Sequence, residues 1–303
     1  MNAVLTQEQR LALLLRTVQW AEEKTDFYRA AFARAGVCHT SVKSFADMAR
    51  LPFWERTARE GADAPFFMLT LPLSGVLRVS ALDDGAAGWL HCYTQGDVAR
   101  HVVATREMLA SCGLNRASTV LLVGDFTDSR TLDLQYGLEG LGAAVLPCAS
   151  DAGVVFSCMR AAVPDTVIVW EPWLPVLAAV PAGGVHRLVT VGGHPAPSAS
   201  ARETAARIGA RHAHLFTLPQ MGAIIGHTCS AGAGMHLEER LFFAEVVDDA
   251  GQSCTADGAH GMLVLSTLAA EAMPVLRYQT GISVRLARGR CTCGSTHLRI
   301  TEE

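Results

Sequence analysis

The chain has 303 residues, half of them hydrophobic, and a formal net charge of −4 at neutral pH. This length can bury a sizeable core in one large domain or two smaller ones. The small acidic balance gives no electrostatic basis for binding nucleic acid or an anionic membrane. Because no apolar run reaches spanning length and the N-terminus lacks the order of a signal peptide, we expect a cytoplasmic protein with neither partner.

The basic residues and cysteines narrow the chemistry further. Lysine occurs only at Lys24 and Lys43, so no reaction can use a lysine from the C-terminal half. Nine cysteines are present, an odd number, and most of them are scattered along the chain. In a reducing cytosol they indicate free thiols or metal ligands rather than disulfides.

The N-terminal elements are predicted to be helical. Residues 6–35 form a predicted helix because Leu11, Leu14 and Val18 recur at helical spacing and Gly36 is a plausible stop. A short helix is predicted over 44–50, and Pro52 breaks the segment that follows it.

The middle of the chain alternates between strands and helices. Continuously apolar strands that alternate with helices are typical of a parallel sheet covered on both faces, which predicts an α/β fold. The predicted strands are 119–124, 143–147, 165–170, 186–193 and 213–217, and the predicted helices are 132–142, 152–162 and 198–209.

The pattern of predicted elements changes near residue 222, where the alternation of strands and helices ends. Strand-like segments such as "LFFAEVVDDAG" and "GMLVLSTL" follow, with an Asp-Asp-Ala-Gly turn and no long helix. We therefore predict two parts, an α/β part over 1–221 and a small β-rich subdomain over 222–303.

Ligands of open parallel sheets bind beyond the carboxyl ends of the strands. This rule predicts a binding pocket at the dipeptides that follow the predicted strands, which are Pro147-Cys148, Trp170-Glu171, Gly193-His194 and Thr217-Leu218.

A cysteine and histidine pattern indicates a metal site. Cys229 precedes His236 by seven residues, and Cys291 precedes Cys293 by two. Three thiolates and one imidazole suit a closed, tetrahedral, structural zinc site. Spacing alone leaves two alternatives open: free thiols in a surface hairpin, or a ligand set that includes His227 or His297.

Segments spread over nearly the whole chain resemble the phenylacetate–CoA ligase family, within the adenylate-forming (ANL) superfamily. They include "EEKTDFYRAAFARAGV", "SFADMARLPFWER", "LQYGLEGLGAAVLP", "GMHLEERLFFAEVVDDAG" and "GMLVLSTLAAEAMPVLRYQTGISVRLARGRCTCGSTHLRI". The resemblance implies the α/β fold of the ANL N-terminal domain, with mostly parallel sheets, flanking helices and a β-rich C-terminal subdomain. It also implies a structural zinc held by Cys229, His236, Cys291 and Cys293.

The resemblance further implies a reaction that joins an aryl acid to ATP and passes the acyl group to coenzyme A, but several positions depart from the family's pattern. The phosphate loop "SSGTTGK" is here "DDGAAGW", which keeps Gly85 and Gly88 but lacks the hydroxyls and the lysine. Gln220 stands at the place of the magnesium-binding glutamate, and Ile282 at that of the ribose-binding aspartate. His194 replaces the glutamate of "GGEP".

The family's pattern continues into a small lid domain that carries a catalytic lysine, whereas this sequence ends at Glu303 with no lysine after Lys43. We therefore expect the lid to be absent. Removing one important electrostatic donor costs about 3 kcal/mol of transition-state stabilisation. Several such losses predict a protein that does not adenylate and does not use ATP and magnesium.

An ATP-independent acyltransferase, moving an acyl and in particular an aryl group between CoA and a carrier-protein thiol in a biosynthetic pathway, is the first hypothesis. Its substrate would be an acyl-CoA, and its partner an acyl carrier protein. One alternative is a non-catalytic pseudo-ligase that binds an acyl ligand or scaffolds a partner ligase. Another is an aryl-CoA ligase with a rebuilt ATP site.

Cys148 and His194 are the catalytic candidates for transfer, since both follow predicted strands at the predicted pocket. His194 would act as base and Cys148 as acyl acceptor. The plainer interpretation of Cys148 is a small apolar residue packed after a proline. His91 and Cys92 are a second candidate pair, although adjacent residues on a strand point to opposite faces.

Overall fold

The computed structural model describes residues 5–54, 66–82, 89–177 and 184–302. It divides into two compact units, each discontinuous in sequence. The first unit comprises Met1–Arg100, Leu237–Gly289 and Ile300–Glu303, and the second comprises His101–His236 and Arg290–Arg299. The sequence predicted one boundary near residue 221 instead. The division differs because the chain leaves the second unit after residue 236, builds an antiparallel sheet in the first, and returns at residue 290.

The helices, in chain order, are α1 (Gln7–Lys24), α2 (Asp26–Arg34), α3 (Gln95–Ser111), α4 (Ser129–Gly140), α5 (Ala152–Ala162) and α6 (Ala199–Ile208). The strands are β1 (Arg78–Leu82), β2 (Trp89–Tyr93), β3 (Thr119–Val123), β4 (Ala144–Cys148), β5 (Thr166–Trp170), β6 (Arg187–Gly192), β7 (Arg211–Leu218), β8 (Ala223–Thr228), β9 (Met235–Leu237), β10 (Phe242–Val247), β11 (Ser253–Cys254), β12 (His260–Thr267), β13 (Tyr278–Ala287) and β14 (Arg299–Glu302). None of these helices is both long and apolar enough to cross a membrane.

Two helices, α1 and α2, replace the single helix predicted over 6–35. Thr25 between them is extended, with φ −125° and ψ 136°, and its hydroxyl accepts a hydrogen bond from the backbone N–H of Tyr28. A threonine that caps a new helix in this way ends the preceding one. The helix predicted over 44–50 is a 3₁₀ turn, Ala46–Arg50.

The second unit contains the predicted parallel sheet. Its strand order is β9-β8-β7-β6-β5-β3-β4. Strands β3 to β7 pair in parallel, and β8 then pairs with β7 in the antiparallel direction. The strands carry fully buried apolar side chains such as Leu121, Ile168 and Val189, as continuous apolar runs require.

The first unit holds an antiparallel sheet of order β11-β10-β12-β13, and a separate hairpin of β1 and β2. All of residues 222–302 are described and none is helical, which agrees with the β-rich texture expected for the C-terminal part. This part of the chain is nevertheless shared between the two units.

A buried ion pair links three segments of the first unit. The guanidinium of Arg277 donates from Nε to Glu245 Oε1 at 2.7 Å, and both side chains are almost completely buried. Arg277 also donates to the main-chain oxygens of Ala49 and Leu51, and it lies 4.0 Å from the ring centroid of Phe53. Burial raises the pKa of Glu245, while the Arg277 charge opposes that shift. Arg277 therefore ties β13 to β10 and to the 49–53 segment.

The substitution Arg277→Met should destabilise the protein by about 3–5 kcal/mol, because it leaves the Glu245 carboxylate buried without its partner. Urea unfolding measures the loss. The double substitution Arg277→Met, Glu245→Leu should recover part of it. As a control, Arg29→Met removes an exposed pair with Asp26 and should cost less than about 1 kcal/mol. Equal losses in both single variants would contradict a special role for the buried pair.

Candidate metal centre and carboxyl-edge site

Four metal-ligating side chains converge in the second unit. One ligand atom from each of Cys229, His236, Cys291 and Cys293 lies within 4.8 Å of all the others. Cys229 Sγ is 3.8 Å from Cys291 Sγ, and Cys293 Sγ is 3.7 Å from His236 Nε2. Three of the four residues are buried and Cys293 is exposed.

The local backbone explains this convergence. Cys229 follows the end of β8, and His236 lies in the short strand β9. Cys291 and Cys293 lie in a tight turn, in which the N–H of Gly294 donates to the Cys291 carbonyl at 2.8 Å. Gly294 has φ +94°, a conformation that favours glycine, so this residue lets the turn close around the two thiols.

The four side chains fit a zinc ion. With Zn–S bonds of about 2.3 Å and Zn–N bonds of about 2.0 Å, a tetrahedral ion holds two sulfurs about 3.8 Å apart and a sulfur and a nitrogen about 3.5 Å apart. The observed separations of 3.8 and 3.7 Å are close to both values. Three cysteines and one histidine leave no open position, so this set would hold a metal in a structural role.

Thiol acidity at the cluster favours a cation. The backbone N–H of Cys293 lowers the pKa of Cys291 to about 7, whereas burial raises that of Cys293 to about 11. Neighbouring sulfurs cannot all ionise without a positive charge between them, and a bound divalent ion would supply it. Of the alternative ligands, His227 instead stacks on the His236 ring, with centroids 5.5 Å apart.

The carboxyl edge is defined here as the end of the second unit's parallel sheet at which β3 to β7 finish. The predicted dipeptides lie there because parallel strands end on the same side. Trp170 ends β5 and Glu171 follows it, Gly193 and His194 follow β6, and Thr217 and Leu218 are the last two residues of β7.

The structure does not bring Cys148 and His194 together. Cys148 ends β4 and His194 follows β6, and strands β3 and β5 lie between those two. Three strand spacings amount to about 14 Å. His194 is exposed, whereas the Cys148 thiol is buried, packs among apolar residues such as Val155 and Met159, and lies 3.3 Å from the Ala149 carbonyl. Burial raises the pKa of Cys148 to about 12.

The positions that match nucleotide-binding residues of the family divide into three groups. Gly85 and Gly88 lie outside the described residues. Gln220 lies in the second unit, in the 3₁₀ turn Pro219–Met221, and is 4% exposed. Ile282 lies in β13 of the first unit and is 7% exposed. Of the second candidate pair, His91 and Cys92 are both buried in β2.

Within the described residues, the three α-helices that start at the carboxyl edge each begin against a carboxylate. Asp128 accepts a hydrogen bond from the backbone at the start of α4, and Asp151 does so at α5. At α6 the cap is Ser198, and its own N–H donates to Glu171 Oε1 at 2.9 Å. Helix N-termini attract anions through their free N–H groups and their dipole. Here the protein's own acids occupy those positions.

The sequence did not predict the buried arginine that lies at this edge. Arg130 is 4% exposed and is paired with Asp128 through Nε and a second nitrogen at 2.6 Å. Its guanidinium lies 4.7 Å from the Trp170 ring centroid, and the Trp170 Nε1–H donates to Thr131. A charged residue at the second position of a helix ordinarily faces solvent, so no sequence pattern marked it.

The metal assignment predicts one zinc ion per chain. Elemental analysis should find it in the purified protein, and Cys291→Ser and His236→Ala should each abolish it. Cys254→Ser is the matched control, since Cys254 is exposed and lies outside the cluster. Retention of a full zinc complement by both cluster variants would overturn the assignment.

The environment of Cys148 predicts that its thiol reacts slowly with alkylating reagents. At about pH 8, a thiol with its pKa near 12 is ionised in only about one molecule in ten thousand. A maleimide should therefore label exposed Cys254 rapidly and Cys148 only after unfolding, as peptide mass spectrometry can follow. Rapid labelling of Cys148 in the folded protein would restore it as an acyl acceptor.

Comparison with known proteins agrees with the observed fold. No protein-family model matches the chain. A phenylacetate–coenzyme A ligase of Aromatoleum evansii is 30% identical over 302 residues, which cover 93% of this chain and 67% of that protein. One from Thermus thermophilus is 28% identical over 312 residues, which cover 97% and 68%. The chain thus spans about two thirds of the length of these relatives.

Among solved structures, 2-hydroxyisobutyryl-CoA ligase in complex with 2-HIB-AMP and CoA matches 98% of this chain and 69% of its own, with a TM-score of 0.85 at 18% identity. This match shows a shared fold and confirms the α/β architecture that the sequence predicted. The relative that is 30% identical, and that this chain covers to two thirds of its length, shows that the chain belongs to the phenylacetate–CoA ligase family.

Proposed function

We propose that this chain does not adenylate, and that it moves an acyl group, in particular an aryl one, between CoA and a carrier-protein thiol without ATP. The observation that carries the proposal is the negative charge at the carboxyl edge. Asp128, Asp151 and Glu171 take up the helix N-termini at which a bound polyphosphate would find its backbone donors. A triphosphate brought to this edge would meet these carboxylates instead, of which Asp128 is already paired with Arg130.

The replaced ligase positions support the same proposal, each within its own unit. Gln220 offers a neutral amide where the family holds magnesium through a carboxylate, and hard divalent cations prefer charged oxygen ligands. Ile282 is apolar and cannot accept a hydrogen bond from a ribose hydroxyl. Phosphoryl chemistry depends on positioning and charge neutralisation, so losing both groups removes much of its basis.

An acyl thioester suits the groups at the carboxyl edge better than a nucleotide does. The pantetheine arm next to the thioester is uncharged, so the edge carboxylates do not repel it. In the transfer, the carrier thiolate attacks the carbonyl carbon and forms a new C–S bond while the bond to CoA breaks. The proton lost by the carrier thiol ends on the CoA thiolate. One thioester replaces another, so no ATP is needed, and the protein contributes by orienting the two thiols.

The route in this proposal is direct, with no acyl-enzyme on Cys148. That thiol is buried, its pKa is about 12, and His194 lies beyond two intervening strands. The same observation favours a second candidate function, a pseudo-ligase that binds an acyl ligand or a partner ligase and catalyses nothing. Zinc would play no part in either reaction, since its four side chains form a closed set.

A carrier-loading assay tests the proposal. The protein is incubated with phenylacetyl-CoA or benzoyl-CoA and a carrier protein bearing its phosphopantetheine arm, with no nucleotide, and intact masses are recorded. We expect the acyl mass on the carrier, formed equally well by Cys148→Ala. Binding of acyl-CoA without loading would favour the pseudo-ligase. Loss of loading in Cys148→Ala would replace the direct route by an acyl-enzyme.

A separate assay addresses the ligase alternative. Pyrophosphate exchange with ATP, magnesium and a panel of aryl acids should stay at background, both in the wild-type protein and in Gln220→Glu. Exchange by the wild-type protein would defeat both candidate functions and establish a ligase with a rebuilt ATP site.

A further inference from the structure

Two imidazoles and a hydroxyl form a continuous chain beside the carboxyl edge. The Thr190 hydroxyl on β6 lies 3.0 Å from His212 Nε2 and 2.8 Å from His214 Nδ1, both on the neighbouring strand β7. His214 Nε2 in turn lies 2.9 Å from the main-chain oxygen of His194. Thr190 and His214 are almost completely buried. None of these contacts belongs to the metal cluster, and the contact with His194, a replaced ligase position, is to its main chain only.

The acceptor at one end fixes the proton on one imidazole nitrogen. A carbonyl oxygen only accepts, so His214 Nε2 must carry the proton that it donates to His194. Glu171 Oε1 lies 3.8 Å from His214 Nδ1, beyond hydrogen-bond distance, and we take His214 to be neutral, with an Nδ1 that accepts from the Thr190 hydroxyl. Since that hydroxyl has one hydrogen, its oxygen accepts from the Nε2–H of His212. Burial lowers the pKa of His212 to about 4, which keeps this imidazole neutral near pH 7.

The hydrogen-bonded side chains hold one end of the loop 193–198, and Glu171 holds the other end. His214 holds the His194 carbonyl, and the N–H of Ser198 donates to Glu171 Oε1 at 2.9 Å. A Cβ on Gly192 would lie 3.0 Å from His214 Cε1 and 3.1 Å from Glu171 Cδ, so a side chain there would press on both groups. A Cβ on the next residue, Gly193, would meet nothing within 4 Å.

The loop is therefore held firmly from inside and open on its outer side. Gly193 and His194 are exposed at the end of the sheet at which ligands of parallel α/β proteins bind. An exposed glycine lets a ligand approach the backbone closely. The uncharged amides of a pantetheine arm are suited to backbone hydrogen bonds of this kind.

We propose that His212, Thr190 and His214 form a directional hydrogen-bond relay that positions the loop 193–198 to bind the pantetheine arm of an acyl thioester. The three side chains are positioning residues, because they act through the His194 carbonyl and do not touch the ligand. The choice of ligand rests on the proposed function, whereas the relay itself does not.

Removing one hydroxyl tests the relay. Thr190→Val keeps the shape of the side chain but breaks both hydrogen bonds, and Thr190→Ser restores them. Hydrogen exchange followed by mass spectrometry should show about tenfold faster exchange over 193–198 in the valine variant, as expected for the loss of a buried hydrogen bond, and wild-type exchange in the serine variant. Binding of phenylacetyl-CoA should weaken by a similar factor only in the valine variant.

Thr166→Val is the matched control. Thr166 is also a fully buried strand threonine, but its hydroxyl bonds to Asp165 and Arg187 at the opposite end of the sheet. This variant should leave loop exchange and binding unchanged.

Nitrogen-15 NMR of the imidazoles should find His214 neutral and protonated on Nε2 in the wild-type protein. The variant His214→Gln keeps a donor at that position, so it should retain the slow loop exchange.

The outcomes distinguish the relay itself from its role in binding the pantetheine arm. Unchanged loop exchange in Thr190→Val, or a His214 protonated on Nδ1 alone, would overturn the relay. Faster exchange with unchanged affinity for phenylacetyl-CoA would overturn its role in binding. A wild-type protein that binds no phenylacetyl-CoA would defeat the ligand assignment and the proposed function together, and loop exchange would still decide the relay.

Discussion

The close approach of Cys229, His236, Cys291 and Cys293 determines how the chain is divided. These residues are brought together across a separation of 62 positions between Cys229 and Cys291. The intervening chain builds the antiparallel sheet of the first unit, so residues 290–299 must return to the second unit to complete the cluster. The second unit is discontinuous for this reason. A metal in the cluster would add its binding free energy to this return of the chain.

Within the second unit, the direction of the strands governs where chemistry can occur. Parallel strands gather their carboxyl ends on one side, together with the starts of α4, α5 and α6. In many α/β proteins such a side binds phosphate, because helix N-termini present free N–H groups. In this chain acidic side chains occupy the same positions. The fold of a CoA ligase is kept, and these acids are the basis on which we propose an uncharged ligand rather than a nucleotide.

Three buried polar groups, distributed over the two units, each have a partner close at hand. Arg277 is paired with Glu245 in the first unit, and Arg130 with Asp128 in the second. Thr190 lies within 3.0 Å of a nitrogen of each of two imidazoles. Such fully satisfied arrangements hold backbone segments in one position, because breaking any contact leaves a buried group without its partner.

The sequence by itself determined the order of strands and helices from β3 to β7 and which residues lie at the ends of these strands, because apolar runs and glycine stops are local signals. Cysteine spacing left the ligand set of the metal cluster open, and the family resemblance implied its four members. Only the tertiary structure decided which of those residues meet. Cys148 and His194 both follow strands, but β3 and β5 separate their strands, and strand order cannot be read from chain order. Burial likewise made Cys148 a core thiol, and the pairing of β6 with β7 set Thr190 against His214, neither of which any local pattern encodes.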